Sequence, residues 1–272
     1  MDTGELSTLA AVAGSFSEHV PVVHIVGVPN TASQKQHLLL HHTLGNGDFR
    51  VFSDMSKNIS TAHTLLDEHV DCAAEIDRVL AACWEKAHPV YISLPTNIVL
   101  HKVDGSRLNK PIPVDLHPNP EDVEQEVVDQ ILDLMYRSKN TVILVDACAV
   151  RHRVLDELHE FIEKTKLPTF VTPMGKGGVN ETHNTFGGVY VGDVSRTEVK
   201  EAVEGAELIL FIGGLMSDFN SGGFTFRIPH HKTVEFHSDS MKVNLMCLSY
   251  VDGSPDMKVK CRSGIPNSQE SP

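Results

Sequence analysis

The run Thr141-Val142-Ile143-Leu144-Val145-Asp146 decides the fold. Its four central residues are branched or long apolar side chains, so both alternating faces of the strand are apolar and only the closing aspartate is charged. A strand of that kind needs cover on both sides, as in a parallel sheet between helical layers. Comparable runs occur at Val22 to Val28, Val90 to Leu94, Thr169 to Thr172, Glu207 to Ile212 and Thr233 to His237. Between them apolar residues recur at helical spacing: Ile76, Val79, Leu80, Cys83 and Trp84; Val123, Val127, Ile131, Leu134 and Met135; Val154, Leu155, Leu158, Phe161 and Ile162. A further helix around Thr197 to Val203 ends at Gly205 and feeds the run Leu208 to Ile212. The repeated helix-then-strand unit predicts an α/β fold with doubly wound parallel sheets.

Boundary chemistry sharpens these elements. Asn119 is placed as an N-cap, Pro120 in the first turn, and Glu121 and Asp122 near the positive end of the helix dipole. The stretch from Asp104 to Pro120 has no periodicity and carries Pro111, Pro113, Pro118 and Pro120, which reads as an interdomain linker. The expected division is residues 1–107, a linker at 108–119, a second domain at 120–243, and a divergent, disordered tail at 244–272. The second domain holds four of the predicted strands. The first holds two, too few to cover both apolar faces and both edges, so either it pairs with another chain or the sequence begins inside a domain.

Composition excludes several classes of function. With 41% hydrophobic and 22% charged residues over 272 positions, the chain can bury a large core. Its apolar runs are too short for a membrane span, and Met1-Asp2-Thr3-Gly4-Glu5 has no signal-peptide character, so a cytoplasmic protein without a membrane partner is expected. A net charge of −13, from 23 basic and 36 acidic residues, argues against nucleic acid. The five cysteines, at 72, 83, 148, 247 and 261, show no C-x-x-C spacing and no metal quartet, which fits reduced thiols and no metal site within the chain. His230, His231 and His237 lack a third ligand at metal spacing and are expected to face water or loop carbonyls.

The segment Leu38-Leu39-Leu40-His41-His42-Thr43-Leu44-Gly45-Asn46-Gly47-Asp48-Phe49 resembles the paired-histidine segment of the thiamine-diphosphate-dependent 2-keto acid decarboxylases. The likeness extends in order through Gly4 to Ser7, Ser17 to Val20, Pro89 to Pro95, Thr172 to Gly177, Gly187 to Gly192 and Val234 to Asp239, and it is strongest to the fungal pyruvate decarboxylases. It covers about Gly4 to Lys242. In that family an aminopyrimidine-binding domain, a central regulatory domain and a diphosphate-binding domain follow one another. The resemblance implies that 1–107 is the C-terminal part of the first and that 120–243 is a Rossmann-like central domain. The family's activating glutamate would lie upstream, and the G-D-G motif for magnesium and diphosphate is absent, so the chain is read as truncated at both ends, with no cofactor-binding residues of its own.

The resemblance implies pyruvate converted to acetaldehyde and carbon dioxide on thiamine diphosphate with Mg2+, in a homo-oligomer arranged as a dimer of dimers. His41 and His42 would handle protons, which suits imidazole chemistry near neutral pH. Taken alone, two histidines before Gly45 read first as a solvent-facing turn, and the full matching context reverses that order. Fungal members are activated by their own substrate, and Cys148 stands at the matching cysteine after an apolar strand. Arg151 matches an effector-binding arginine, Glu18 and His19 match the interface pair, and Trp84 stands where some relatives carry a tyrosine, keeping the ring without the hydroxyl. The alternative for Cys148 is an inert half-buried thiol. Two other functions stay open: a non-catalytic remnant that associates with a full-length decarboxylase, and a nucleotide-binding module using Gly213 to Gly223. That glycine-rich stretch lacks a G-x-G-x-x-G pattern and is read as structural, while Phe224 and Phe226 are read as core or interface.

Overall fold

A computed structural model describes residues 3–112, 114, 118–243 and 246–249. The chain divides into two compact units, Met1–Asp115 and Leu116–Pro272.

The first unit runs α1 (Leu9–Ser17), β1 (Val23–Val28), α2 (Thr31–Lys35), α3 (Val51–Ser56), β2 (Ala62–Leu65), α4 (Cys72–Lys86) and β3 (Val90–Pro95). Its strands form a parallel sheet in the order β1-β3-β2. The sequence predicted two strands here and the structure adds a third, Ala62-His63-Thr64-Leu65. That edge strand is short and half polar, which hid it. Asp71 caps α4 by accepting from the Ala74 N–H at 3.0 Å, and the helix packs Val79 and Cys83 against Val90 and Ile92. On the other face Tyr91 packs with Val26 and Val28. The edge strand β1 leaves Ile25 58% exposed.

The second unit runs α5 (Glu121–Arg137), β4 (Thr141–Val145), α6 (Ala147–Arg151), α7 (Leu155–Thr165), β5 (Thr169–Val171), β6 (Phe186–Val189), α8 (Thr197–Glu204), β7 (Leu208–Ile212), β8 (Thr233–Phe236), β9 (Ser240–Val243) and β10 (Met246–Ser249). All belong to one sheet of order β10-β9-β8-β7-β4-β5-β6. The five strands from β8 to β6 are parallel, and β9 and β10 extend the sheet antiparallel. Four strands were expected. β6 was concealed by Gly187 and Gly188, and β10 falls where a disordered tail was expected; the rest of that tail lies outside the described residues.

The alternation of β4 explains the layers. Ile143 and Val145 join Leu210 beneath Val127, Ile131, Leu158 and Ile162 of α5 and α7, whereas Val142 and Leu144 join Ile209 and Phe211 beneath Val199 and Val203 of α8. Each fully buried aliphatic side chain contributes about 1.5–3 kcal/mol. The helix start expected at Asn119 shifts: ψ of 127° keeps Pro120 extended as the N-cap, α5 begins at Glu121, and the Asn119 amide reaches Glu124 Oε2 at 3.3 Å instead.

His237 is corrected, because it is half-buried on a carboxylate, whereas His230 faces water as expected and bonds the same carboxylate from the surface. Glu235 Oε1 lies 3.1 Å from His230 Nδ1, and Glu235 Oε2 lies 2.9 Å from His237 Nε2 and 3.2 Å from Lys242 Nζ. With the His237 hydrogen bond as the largest cause, then Lys242 and His230, the Glu235 carboxyl is held down at about 2 from an ordinary 4.5. A depressed carboxyl stabilises the fold above its unfolded value and loses that contribution as pH falls through its folded one. Between about pH 4.5 and 2 the second unit is therefore expected to lose about 1–2 kcal/mol after solvent screening. Urea midpoints of Glu235→Gln should be lower above pH 5 and show a flatter acid slope; an unchanged slope would refute this.

Among the described residues no helix is long and apolar enough to cross a membrane.

Candidate functional site

The paired histidines sit on an exposed turn of the first unit, between α2 and α3. Local chemistry shapes that turn. Thr43 Oγ1 donates to the Leu40 carbonyl at 2.7 Å and accepts from the Gly45 N–H at 3.2 Å. Asn46 Oδ1 accepts from the Asp48 N–H at 3.0 Å, and Asp48 Oδ1 from the Arg50 N–H at 2.9 Å. His42 has a φ of +59°, a left-handed conformation that histidine visits more readily than bulky residues do. The His41 and His42 rings are consequently set edge to face, with centroids 4.9 Å apart and planes at 81°. Both residues are exposed.

The turn is fixed from below by α2. The Thr31 N–H donates to Asn97 Oδ1 at 3.0 Å while Asn97 Nδ2 donates to Thr31 Oγ1 at 3.0 Å, tying the start of α2 to the end of β3. Asn30 caps the helix by accepting from the Ser33 N–H at 2.8 Å. Lys35, in the last turn, pairs with Glu68.

The other candidates of the first unit lie on separate elements. Glu18 is the C-cap of α1, and the His19 ring, at a φ of +54°, packs edge-on against His88 with centroids 4.3 Å apart. Trp84 is on α4 and 45% exposed.

Cys148 and Arg151 lie together on α6, in the second unit. This short helix starts where β4 and β7 end, with the first crossover leading to β5 on one side and the return to β7 on the other. That is the switch point at which ligands bind in open α/β sheets. The Cys148 N–H donates to the Gly213 carbonyl at 2.9 Å, and the Ala147 N–H to Asp146 Oδ1 at 2.6 Å. Burial pushes the Cys148 thiol up to about 11, the Asp146 charge adds to this, and Arg151 opposes it. The group is therefore a protonated thiol at neutral pH, short of the thiolate character that marks reactive cysteines.

One feature beside Cys148 had no signature in the sequence. Asp146, fully buried, collects the strand-end loops of β4, β5 and β7. Its carboxyl accepts from Thr172 Oγ1 at 2.5 Å, from the Leu215 N–H at 2.7 Å, and from Asn220 Nδ2 at 2.8 and 2.9 Å to its two oxygens. Asn220, also fully buried, completes the network by donating to the Leu215 carbonyl and accepting from the Met174 N–H. The glycine-rich stretch after β7 is thus wrapped around a side-chain network of the chain itself. Of the two phenylalanines there, Phe226 packs on Tyr190, while Phe224 is 69% exposed.

Residues 128–247 match the family model described as the central domain of the thiamine pyrophosphate enzymes. Over 240 residues, 88% of this chain, the sequence is 53% identical to a pyruvate decarboxylase of Aspergillus terreus and 51% identical to one of Aspergillus fumigatus. It is likewise 51% identical to pyruvate decarboxylase isozyme 3 of Saccharomyces cerevisiae. Those stretches make up 42%, 42% and 43% of the relatives' own lengths, so the chain spans under half of the curated relatives it matches.

The residues present do not by themselves fit thiamine diphosphate. The surface groove along α5 is lined by Asp122, Glu126, Asp129 and Asp133 with two glutamines, a set that repels a diphosphate, and the sequence contains no G-D-G run. What the chain does carry is a parallel α/β sheet whose residues 128–247 are similar to the central domain of the thiamine pyrophosphate enzymes, within a stretch about half identical to the fungal pyruvate decarboxylases.

Proposed function

We propose that this chain supplies the paired-histidine segment and the central domain for non-oxidative decarboxylation of a 2-keto acid, pyruvate to acetaldehyde and carbon dioxide. The observation that carries the reading is the identity of about half over 240 residues to the named decarboxylases, in a stretch that contains His41 and His42. In the complete enzyme, thiamine diphosphate with Mg2+ would supply the electron sink. His41 and His42 then serve the proton steps, because loss of carbon dioxide requires a proton to be delivered to carbon and aldehyde release requires one to be removed from oxygen. Cys148 and Arg151, with Glu18, His19 and Trp84, are proposed to serve substrate activation. For Cys148 the raised thiol favours a noncovalent role, and Arg151 suits a carboxylate through paired hydrogen bonds. The complete enzyme is proposed to be cytoplasmic and a homo-oligomer, a dimer of dimers.

The test is to place residues 4–243 in the matching stretch of the Aspergillus terreus relative and measure acetaldehyde. The chimera is expected to be active, and His42→Phe to lower its kcat about 100-fold, the scale of a lost proton-transfer group. A folded chimera without activity, or one indifferent to His42→Phe, would reject the reading. The 272-residue chain alone, given cofactor and magnesium, is expected to form no acetaldehyde.

A further inference from the structure

We infer that His37 is a positioning residue that clamps the neck of the paired-histidine loop. Its Nδ1 lies 2.8 Å from the Gly47 carbonyl oxygen, ten residues on, so the two ends of the segment carrying His41 and His42 are joined by one hydrogen bond. The inference deepens the proposed function and its catalytic consequence rests on that reading; the clamp itself does not.

Several observations converge on this neck. The His37 N–H donates to the Gln34 carbonyl at 3.1 Å and the Leu38 N–H to the Ser33 carbonyl at 3.2 Å, so His37, at a φ of +51°, is the left-handed residue that ends α2 and is anchored to its last turn. Since α2 is itself held by Asn97 and capped by Asn30, the hydrogen bonds run without a break from the end of β3 to the His37 ring. On the far side, Gly47 has a φ of +78°, and a Cβ there would lie 3.1 Å from His37 Cβ. Only glycine combines that backbone with so close an approach. The clamp closes the neck around residues 38–46, which hold both histidines. Because closure entropy varies only slowly with loop length, the clamp orders the loop more than it stabilises the unit.

The chemistry also fixes a tautomer. A backbone carbonyl can only accept, so His37 Nδ1 must carry the hydrogen, in the neutral ring as in the imidazolium.

The experiment is NMR on the 272-residue chain, needing neither cofactor nor turnover. At pH 8 the ring 15N spectrum of His37 is expected to show the Nδ1-protonated tautomer. His37→Phe is expected to speed amide exchange across residues 38–46 about fivefold, the scale of one exposed hydrogen bond, and to move the His41 and His42 ring signals toward each other. His37→Asn, whose amide nitrogen can occupy the Nδ1 position, should restore both, and Gly47→Ala should reproduce the loss. Amides of β1 and β3 should be unaffected in every variant. An Nε2-protonated tautomer, unchanged exchange in His37→Phe, or failure of Asn to rescue would overturn the clamp. Because these readouts involve no decarboxylation, they decide it even if the chimera proves inactive. An intact clamp with an inactive chimera would count against the functional reading alone.

Discussion

Asp146→Ala is expected to destabilise the second unit by about 4 kcal/mol, a large fraction of the stability of a typical domain. The carboxyl is fully buried and satisfies four donors: the Ala147 and Leu215 N–H groups, the Thr172 hydroxyl and the Asn220 amide. Truncation leaves these donors in a dry site, at about 1–3 kcal/mol for each group that finds no substitute. The Asn220 amide retains the Leu215 carbonyl and so loses least. Asp146→Asn keeps the shape but turns one acceptor into a donor facing donors, so it should not rescue. Urea unfolding with hydrogen exchange at β4 and β7 reads the result: the midpoint should fall steeply in both variants, and exchange should rise first where β4, β5 and β7 end. A stable Asp146→Asn protein would show that the network fills space without depending on its hydrogen bonds.

That network also shows where reading the sequence stops. β4 and β7 are plain in the sequence because strands buried on both faces contain little but branched apolar residues, and the helices beside them repeat at 3.6-residue spacing. β2 and β6 are edge strands with fewer neighbours to satisfy, so Ala62-His63-Thr64-Leu65 and Phe186-Gly187-Gly188-Val189 carry no such pattern. His41 and His42 could be singled out because a contiguous motif marks them. Asp146 could not be joined to Asn220, 74 positions away, since the hydrogen bond between them depends on two strands ending side by side. The same limit applies to Glu235, which draws His237 out of the solvent role expected for it, and to His37, whose bond to a backbone carbonyl involves no residue type at all.

Gly213→Ala is the second change with a large expected effect, and it connects stability to the cysteine. Gly213 follows β7 with a φ of +72°, and a Cβ there would fall 2.1 Å from the Ala149 backbone nitrogen and 2.7 Å from the Cys148 carbonyl carbon. Neither atom belongs to a flexible side chain. The start of α6 must therefore move, at a cost of about 3 kcal/mol or more from strain and broken packing. Moving α6 weakens the Cys148 N–H bond to the Gly213 carbonyl and opens the thiol to water. Since burial is the main cause of the raised thiol, exposure lowers it and enlarges the thiolate fraction at pH 8. The expected result is at least tenfold faster alkylation of Cys148, followed by peptide mass spectrometry, with the rate at Cys72 in the first unit as the internal reference, unchanged by the substitution. Equal acceleration at both cysteines would mean general unfolding. No acceleration at Cys148 in a protein that is nonetheless destabilised would mean that the strain is absorbed by the loop after β7, leaving α6 in place.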